Sequence, residues 1–453
     1  MDGEPLERDV PDPEEKKPGW RQSLKDIFSW RNYTVYLLTA WIFNAMAALW
    51  SFFNLYLRTL QWDFMTIVAA LSAVALVSVF ARLIGGYVGD VIDRKKLAVV
   101  AMLMTAVYSL IIGLFTDFSF VFIGLIILGM NDIAKGGASA YIMDNIPSKH
   151  SGLALSLFMV GRSLGTVTIL VFLIIEPILG FAEAFRHLYL LTGVFLLICA
   201  AARAYYLDPN PQKGRVEGTP LWKDFVTENR QAIGILVRMM PGVLVVVIID
   251  SLSDSLFEFG ALIYTNEILG VSYQGIAIMM FVYLVILTPL LLKTGRMSDT
   301  TGARRAALTV YIFMPICAGL LLIAPIFPQW APEWMIVAAD ARMEGLGVIF
   351  TTPFLAIVIK MVTDILWYTI LLALIRKRIP RKDTAKILAM FWAVVYLCQS
   401  IGPLIGGIVF TYAEQYYLFV IVLGLNLLIL GALAKNGLVS DEADAPESQS
   451  PEE

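Results

Sequence analysis

The sequence predicts an all-α membrane protein with 12 transmembrane helices in two pseudo-symmetric six-helix bundles. Three observations lead to this fold class: the composition is apolar, the apolar runs are long, and motifs of the first half recur in the second. Of the 453 residues, 58% are hydrophobic and 16% are charged, whereas soluble chains carry about 45–50% apolar and about 25% charged residues. A soluble fold could not bury so much apolar surface, which excludes soluble enzymes, nucleic-acid-binding proteins and disordered proteins.

The apolar runs are long enough to cross a bilayer as helices, because its hydrocarbon core needs about 20 residues per helix. A transmembrane β-barrel would instead show short alternating segments. The twelve runs lie at 33–57, 65–89, 97–116, 119–143, 152–175, 187–206, 236–262, 273–295, 305–326, 354–376, 385–409 and 416–434.

The polar segments between and around the runs predict the domain boundaries. The first segment is expected to end in a short interfacial helix, because roughly one helical face carries Trp20, Leu24, Ile27, Phe28 and Trp30. The acidic C-terminal tail is expected to be disordered. The second bundle carries an insertion on its outer side, for which we weigh a neutral role against a gate or lid. The predicted units are an N-terminal segment 1–32, a bundle 33–206, a linker 207–232, a bundle 233–434 with the insertion near 327–353, and a tail 435–453.

Basic residues are concentrated in the connections on one side of the predicted spans. That side holds seventeen Lys and Arg residues in the loops and the linker, whereas the other side holds only Arg58, Arg186 and Arg342. Positively charged loops face the cytoplasm. The sequence therefore predicts a multi-pass protein of the cell membrane with both termini, the N-terminal segment and the linker on the cytoplasmic side.

Two motifs of the first half recur in the second. GGYVGDVIDRKK follows span two and TGRMSDTTGARR follows span eight, at an offset of 209 residues. NIPSKHSGLALSLF follows span four and RIPRKDTAKILAMF follows span ten, at an offset of 233 residues. The same motifs at matched places indicate two homologous halves of six spans each.

In these motifs and across all twelve spans, the chain resembles the transporters of the major facilitator superfamily (MFS). The family signature after span two is G-x-x-x-D-[RK]-x-G-[RK]-[RK]. The second copy departs from it at Thr300 and by a one-residue shift of the last basic pair, and the first copy has Val91 and Asp93 at two signature positions. The resemblance implies a cytoplasmic gate motif formed by Gly86, Asp90, Arg94, Lys95, Gly295, Asp299, Gly302, Arg304 and Arg305.

Asp90 and Asp299 are the two acidic residues of this gate motif. A carboxylate is stabilised near the positive N-terminal end of a helix. By pseudo-symmetry, the helix ends near Thr384 and Ser151 are the expected partners. The alternative is a charge cluster that only sets the topology.

Eight ionisable residues lie well inside the predicted spans. Such residues are costly in a membrane and are by default candidates for function. The resemblance implies that spans one, four, seven and ten line a central cavity, and seven of the eight residues lie on these spans. The candidates for proton coupling or substrate binding are Asp132, Asp250, Asp254, Glu258 and Asp364, and the candidate counter-ions or substrate contacts are Arg162, Lys360 and Lys135.

Span seven carries three of these carboxylates at positions i, i+4 and i+8. Asp250, Asp254 and Glu258 therefore share one helix face. A low dielectric and a neighbouring carboxylate both favour the protonated form of a carboxyl group. We therefore expect at least one of the three acids to exchange a proton near neutral pH. The alternatives are ion pairs with Lys360 or Arg162, the binding of a cationic solute, and purely structural pairing.

Spans four and five place an acid and a base at similar depth. Asp132 can pair with Arg162, which could otherwise attract a carboxylate or phosphate of the substrate. Many proton-coupled members of the resembling family have an arginine in span four, within R-x-x-x-G-x-x-A. Here Asp132 stands in its place, so the usual relay of that motif does not carry over.

The sequence therefore predicts secondary transport of a small organic solute by alternating access, coupled to protons. The alternatives are a proton-independent exporter or facilitator of cationic or amphipathic compounds, and a non-transporting receptor or scaffold. There is no Walker A motif, no metal-ligand spacing and no catalytic constellation, so we expect neither an enzyme nor a cofactor nor a metal. The expected partners are the lipid bilayer, a solute and protons, with no nucleic acid and a monomeric chain.

Overall fold

The computed structural model describes residues 20–146, 161–210, 241–300, 303–378 and 384–435, together with scattered positions at 154–158 and 227–238. The first 19 residues, most of the linker and the tail from residue 436 lie outside this part of the chain. The regular structure that is described is helical, apart from one isolated bridge between Gln329 and Thr351.

Within the described residues, each predicted run overlaps a helix, and we label these helices α1 to α12. Residues 48–52 of α1 form a 3-10 turn, α4 is interrupted at Asn131, and α9 is interrupted at Ile312. The bounds are α1 Arg31–Thr59, α2 Phe64–Val91, α3 Arg94–Leu114, α4 Phe118–Met130 and Asp132–Asp144, α5 Gly165–Leu179, α6 Phe181–Tyr206, α7 Pro241–Glu267, α8 Tyr273–Thr300, α9 Ala303–Tyr311 and Phe313–Ile323, α10 Thr352–Arg378, α11 Thr384–Tyr412 and α12 Tyr416–Ala434.

Eight of these helices are long and apolar enough to cross a membrane by themselves: α1, α2, α3, α6, α9, α10, α11 and α12. The two parts of α4 meet the same test as a pair bent by 42°. Helix α7 is not among them, and it carries Asp250, Asp254 and Glu258 in its middle. Helices satisfy their backbone hydrogen bonds internally, as a lipid environment requires.

Two short helices whose bounds fall within the described residues lie outside the labelled set. A helix at Trp20–Ser29 occupies the place predicted for an interfacial helix, with Ile27 buried and Phe28 exposed. In the 327–353 insertion, a helix at Glu333–Asp340 is followed by a 3-10 turn at Leu346–Phe350, and Trp334 is 69% exposed. The location of both helices relative to the membrane surface stays a prediction.

Close packing of α2 against the interruption of α4 depends on Gly85. A Cβ atom at this position would lie 2.7 Å from the carbonyl oxygen of Ile133 and 2.8 Å from that of Asp132. Small residues let membrane helices approach closely. The approach brings Arg82, one turn earlier on α2, next to the Asp132 side chain.

Replacing Gly85 with alanine is expected to destabilise the protein by about 1–3 kcal/mol, the usual cost of overpacking. Gly431→Ala on α12 is the matched control, because nothing lies within 4 Å of the added Cβ. That variant should be neutral or more stable by up to about 1 kcal/mol, since alanine favours the helix. Thermal unfolding of the detergent-purified variants measures both effects, and equal stabilities would contradict the close approach.

Candidate functional site

A cavity of about 630 Å³ lies among the helices, with walls from both halves of the chain. We call the end of the bundle at which α2 ends and α3 begins the basic side, and the other end the opposite side. Four charged side chains line the cavity: Asp132 and Lys135 from α4, Glu258 from α7 and Asp364 from α10. The rest of the lining consists of aliphatic, uncharged polar and aromatic side chains, the aromatic ones including Trp50, Tyr108, Phe257, Phe259, Tyr283 and Tyr396.

Lys360 on α10 is the centre of an ion-pair network with α7. Its side chain is 1% exposed, and its Nζ atom lies 2.7 Å from Asp254 Oδ1 and also contacts Asp364. The same atom lies 5.0 Å from the centre of the Phe257 ring. Asp254 is thirteen residues from either end of α7, which is roughly 20 Å along the helix axis. The network therefore lies at the middle of the helix.

Asp250 lies behind the cavity wall, in a separate group of hydrogen bonds. Its carboxylate accepts hydrogen bonds from Trp367 Nε1 at 2.7 Å and from the Tyr311 hydroxyl at 2.9 Å. Asn426 Oδ1 on α12 lies 3.0 Å from the same hydroxyl and accepts a hydrogen bond from Ser253. These contacts join α7 to α9, α10 and α12 in a fully buried position.

Glu258 is exposed to the cavity. Within the described part of the chain, its carboxylate has no ion pair and no hydrogen-bond donor. Its backbone carbonyl accepts a hydrogen bond from Asn54 Nδ2 on α1 at 3.2 Å. Of the three carboxylates on α7, the Glu258 carboxylate is the most directly accessible to a solute in the cavity.

We call Asp250, Asp254, Glu258, Lys360 and Asp364 the α7–α10 cluster. It contains four carboxyl groups and one ammonium group. The spacing on α7 places its three acids on one face, as the sequence predicts, yet their surroundings differ from each other.

On the α4 wall, Asp132 is 4% exposed and lies between two cations. Its Oδ1 atom is 2.9 Å from Lys135 Nζ, and its Oδ2 atom is 3.5 Å from Arg82 Nε. Neither contact has hydrogen-bond geometry, so Asp132 Oδ1 and Arg82 Nε have no hydrogen-bond partner. Asn131, at the interruption of α4, donates from Nδ2 to Thr105 Oγ1 at 2.8 Å and so ties this interruption to α3.

Arg82 also connects the two walls. Its Nη2 atom donates to the Tyr396 hydroxyl on α11 at 2.9 Å, and its guanidinium lies 4.5 Å from the centre of the Tyr396 ring. The Trp392 ring is 5.4 Å away. The two partners of Arg82, Asp132 and Tyr396, both line the cavity.

The predicted pairing of Asp132 with Arg162 is not described, because the Arg162 side chain lies outside the described residues. The backbone of Arg162 belongs to a 3-10 turn at Gly161–Leu164. Of the other predicted residues, Asp132, Lys135, Glu258 and Asp364 line the cavity, and Asp250, Asp254 and Lys360 lie behind its wall.

On the opposite side, an ion pair and a ring contact join the first and second halves of the chain. Arg58 at the end of α1 pairs with Glu267 at the end of α7, with Nε–Oε1 at 2.7 Å and Nη2–Oε2 at 3.3 Å. Phe181 stacks on Tyr273 with ring centres 4.3 Å apart. Helix α7 ends at Glu267, five residues beyond the predicted run, and this extension supplies the acid of the pair.

The turn beside this pair is held by its own cap. Asp63 Oδ1 accepts a hydrogen bond from Thr66 N at 2.6 Å and so caps α2. This hydrogen bond lowers the pKa of the Asp63 carboxyl below its ordinary value. The charged form is therefore the one that stabilises the start of α2.

Breaking the Arg58–Glu267 pair is expected to favour opening of the opposite side. Half-exposed ion pairs contribute about 0–1 kcal/mol, so Glu267→Gln should raise the open population by up to about fivefold. Distances between spin labels on the opposite-side ends of α6 and α7 measure this population. The charge swap Arg58→Glu with Glu267→Arg should return the open population to the wild-type level. The control Glu183→Gln, which breaks a pair within α6, should leave the open population unchanged. A shift in that control as large as in Glu267→Gln would contradict the closure role.

A model of the Major Facilitator Superfamily matches residues 7–364. The chain belongs to the Major Facilitator Superfamily. It is therefore a multi-pass membrane transporter and not an enzyme, as the motifs predict. The comparison with curated proteins gives no match.

Solved structures of MFS transporters share the fold of this chain. A mutant of the nucleoside transporter NupG is 14% identical with a TM-score of 0.66, covering 89% of this chain and 98% of that one. A D-xylose–proton symporter is 14% identical with a TM-score of 0.62, covering 93% and 99%. The human organic anion transporter MFSD10 is 15% identical with a TM-score of 0.57, covering 89% and 99%. At these identities the likeness concerns the fold alone.

The MFS gate motif is described only in part. Gly86 and Asp90 lie in α2, Gly295 and Asp299 lie in α8, and the side chains of both aspartates are outside the described residues. Gly302 and the expected helix start near Ser151 are outside them as well, and so is the Arg304 side chain, whereas Arg305 is exposed. The latch formed by the two aspartates stays a prediction.

The first copy of the motif has a contact that its departure from the MFS signature explains. Asp93, at the signature's glycine position, accepts hydrogen bonds at Oδ1 from Lys95 N at 2.8 Å and from Asn210 N at 3.1 Å. Arg94 pairs with Asp144 Oδ2 at 2.5 Å, and Asn210 Nδ2 donates to the same oxygen at 2.7 Å. The start of the linker is thereby attached to the basic-side ends of α3 and α4.

Arg82 is a candidate functional residue that the sequence reasoning missed, since it contacts Asp132 and Tyr396. It lies inside the predicted run 65–89 and is an ionisable group in a span, so the criterion that selected the other eight residues could have selected it. Its contact with Asp132 could not be predicted, because it depends on how α2 is rotated against α4.

Proposed function

We propose that this MFS protein transports a small organic solute in symport or antiport with protons, by alternating access. The observation that carries the proposal is the α7–α10 cluster beside the cavity, in which one buried ammonium group pairs with two of the four carboxyl groups. An unneutralised charge is costly away from water, so an excess of carboxylates favours the binding of protons or of a cationic group. Such a cluster is suited to exchange protons as the cavity changes its exposure.

Asp364 and Asp254 are the proposed proton carriers. Asp364 reaches the cavity, and both carboxylates share the ammonium of Lys360. A proton on Asp254 removes its attraction to Lys360 and so weakens a link between α7 and α10, whereas a proton on Asp364 removes the partner within α10 that competes with Asp254 for Lys360. Proton binding is thereby connected to the relative position of two helices that line the path, which is the requirement for coupling. Asp250 is a further candidate proton carrier, and its carboxylate accepts hydrogen bonds from Tyr311 and Trp367.

The proposal includes an orientation and a conformational state. The basic side is cytoplasmic by the charge rule, with both termini on it, in the cell membrane, and the two six-helix units are the bodies that move. The Arg58–Glu267 pair then closes the extracellular side. The described arrangement accordingly corresponds to a state that is closed to the outside.

A proton-independent exporter or facilitator of cationic or amphipathic compounds is the second candidate. Two observations favour it: the Glu258 carboxylate has no cationic partner among the described residues, and aromatic rings line the cavity. In this alternative the acids bind the substrate instead of carrying protons. The two candidates differ in whether a pH gradient drives accumulation.

Purified protein in liposomes with an imposed pH gradient tests the proposal. A panel of labelled amino acids, sugars, nucleosides and amines should contain a solute that accumulates above equilibrium, and a protonophore should abolish that accumulation. Solute entry that stops at equilibrium and ignores the protonophore would support the second candidate. Protein-free liposomes are the control for passive entry.

A further inference from the structure

The two walls of the cavity carry opposite excess charge. On the α4 wall, Asp132 faces two cations, so one positive charge is left over. Arg82 remains behind the wall through its bond to Tyr396, whereas Lys135 lines the cavity with a side chain that is 38% exposed. Lys135 is therefore the cation that a solute meets on this wall.

On the facing wall the excess charge is negative. Lys360 is buried and is shared by Asp254 and Asp364. Glu258 lines the cavity and has no cationic partner in the described part of the chain. The carboxylate of Glu258 is therefore the anion that a solute meets on this wall.

Between these two charges the cavity is mainly apolar. Phe257, Phe259 and Tyr283 line the α7 and α8 side, and Trp50 and Tyr108 line the α1 and α3 side. The volume of about 630 Å³ falls within the range of roughly 300–1,000 Å³ that is typical of small-molecule sites. A compact apolar body fits between charged ends.

We propose that the cavity binds a zwitterionic solute, with its cationic group at Glu258 and its carboxylate at Lys135. The proposal rests on the transport function argued above and names the substrate class of the same site. A solute with only a cationic group would leave the excess positive charge of the α4 wall unmatched, because in the described part of the chain Asp132 alone faces Lys135 and Arg82. A solute with only an anionic group would face the Glu258 carboxylate. Site charges that are left unpaired discriminate against such ligands.

Binding to the purified protein, without any gradient, tests the proposal. The probes are straight-chain ω-amino acids of graded length, each compared with the amine and the carboxylic acid of the same chain length, by titration calorimetry at neutral pH. At least one ω-amino acid should bind about tenfold or more tightly than both of its singly charged analogues, which corresponds to about 1.4 kcal/mol.

Two variants assign the ends of the ligand. Lys135→Gln should bring the dissociation constant of the ω-amino acid to that of the amine, and Glu258→Gln should bring it to that of the carboxylic acid. Lys135→Arg should retain the preference. Glu183→Gln, in an exposed pair of α6, is the control that should change none of the constants. Thermal unfolding of each variant verifies that it is folded.

An amine that binds as tightly as the matching ω-amino acid would overturn the proposal in favour of a cation site. Binding of no member of the series, or an unchanged preference in Lys135→Gln, would overturn it as well. The outcome is separable from the test of coupling. Gradient-driven accumulation of a singly charged solute would refute the zwitterion while transport stands, and zwitterion binding without gradient-driven uptake would refute only the coupling.

Discussion

Replacing Lys360 with methionine is expected to abolish transport and to lower the free energy of unfolding by roughly 3–5 kcal/mol, the usual loss when one member of a buried ion pair is removed. The ammonium is 1% exposed and is the shared partner of Asp254 and Asp364. Without it, two carboxylates remain in the middle of the helices with no neutralising charge from the described residues. Thermal unfolding in detergent, at several pH values, measures the loss.

The destabilisation should depend on pH in one direction. Protons neutralise the two carboxyls as the pH falls, so the variant should approach wild-type stability in acid and deviate most at high pH. Adding Asp254→Asn and Asp364→Asn to the variant should recover stability at all pH values without recovering transport. Lys135→Met, at a partly exposed cation, is the control with a smaller loss. Wild-type stability of Lys360→Met at high pH would contradict the buried network.

Asp364→Asn is expected to lose gradient-driven accumulation and to keep solute exchange. The amide preserves the shape of the side chain and cannot release a proton in the physiological range. The accumulation ratio should therefore fall to about one, because without a coupled proton the carrier only equilibrates its solute. Counterflow of labelled solute against unlabelled solute measures the exchange that remains.

Asp254→Asn should likewise lose gradient-driven accumulation and keep solute exchange, because Asp254 and Asp364 both pair with Lys360. Glu183→Gln replaces an exposed acid of α6 outside the cluster, and it should keep both activities. If Asp364→Asn and Asp254→Asn both accumulate solute as the wild type does, the proton carriers lie elsewhere.

The helices of this protein could be predicted from the sequence, because a bilayer imposes them. In the described part of the chain, the apolar runs overlap α1 to α12, including the interrupted α4 and α9. The interruption at Asn131 was not predicted, although it falls where two polar residues adjoin in an apolar run. The division into two bundles and the domain boundaries stay predictions.

The surroundings of the charged residues could be predicted only in part. The i, i+4, i+8 spacing places Asp250, Asp254 and Glu258 on one face, but side chains of other helices decide their environments. Asp250 lies against Tyr311 and Trp367, whereas Glu258 faces the cavity. Sequence spacing within one helix contains no information about these neighbours.

The pairing of Asp132 shows the same limit. Depth alone suggested Arg162 as its partner, whereas the described contacts are with Lys135 and Arg82. The contact with Arg82 depends on the approach of α2 to the interruption of α4, which Gly85 allows. The rotation of α2 about its axis is determined by its packing against other helices, so the sequence of α2 alone does not predict it.

The central claim is that solute movement is coupled to protons at the α7–α10 cluster. It is tested most directly by liposomes that enclose a pH-sensitive dye and receive a solute gradient without a pH gradient. We predict that solute flow through the wild type changes the internal pH, and that Asp364→Asn carries the solute with no pH change. Solute flow without a pH change in the wild type, or an unchanged pH response in Asp364→Asn, would contradict the claim.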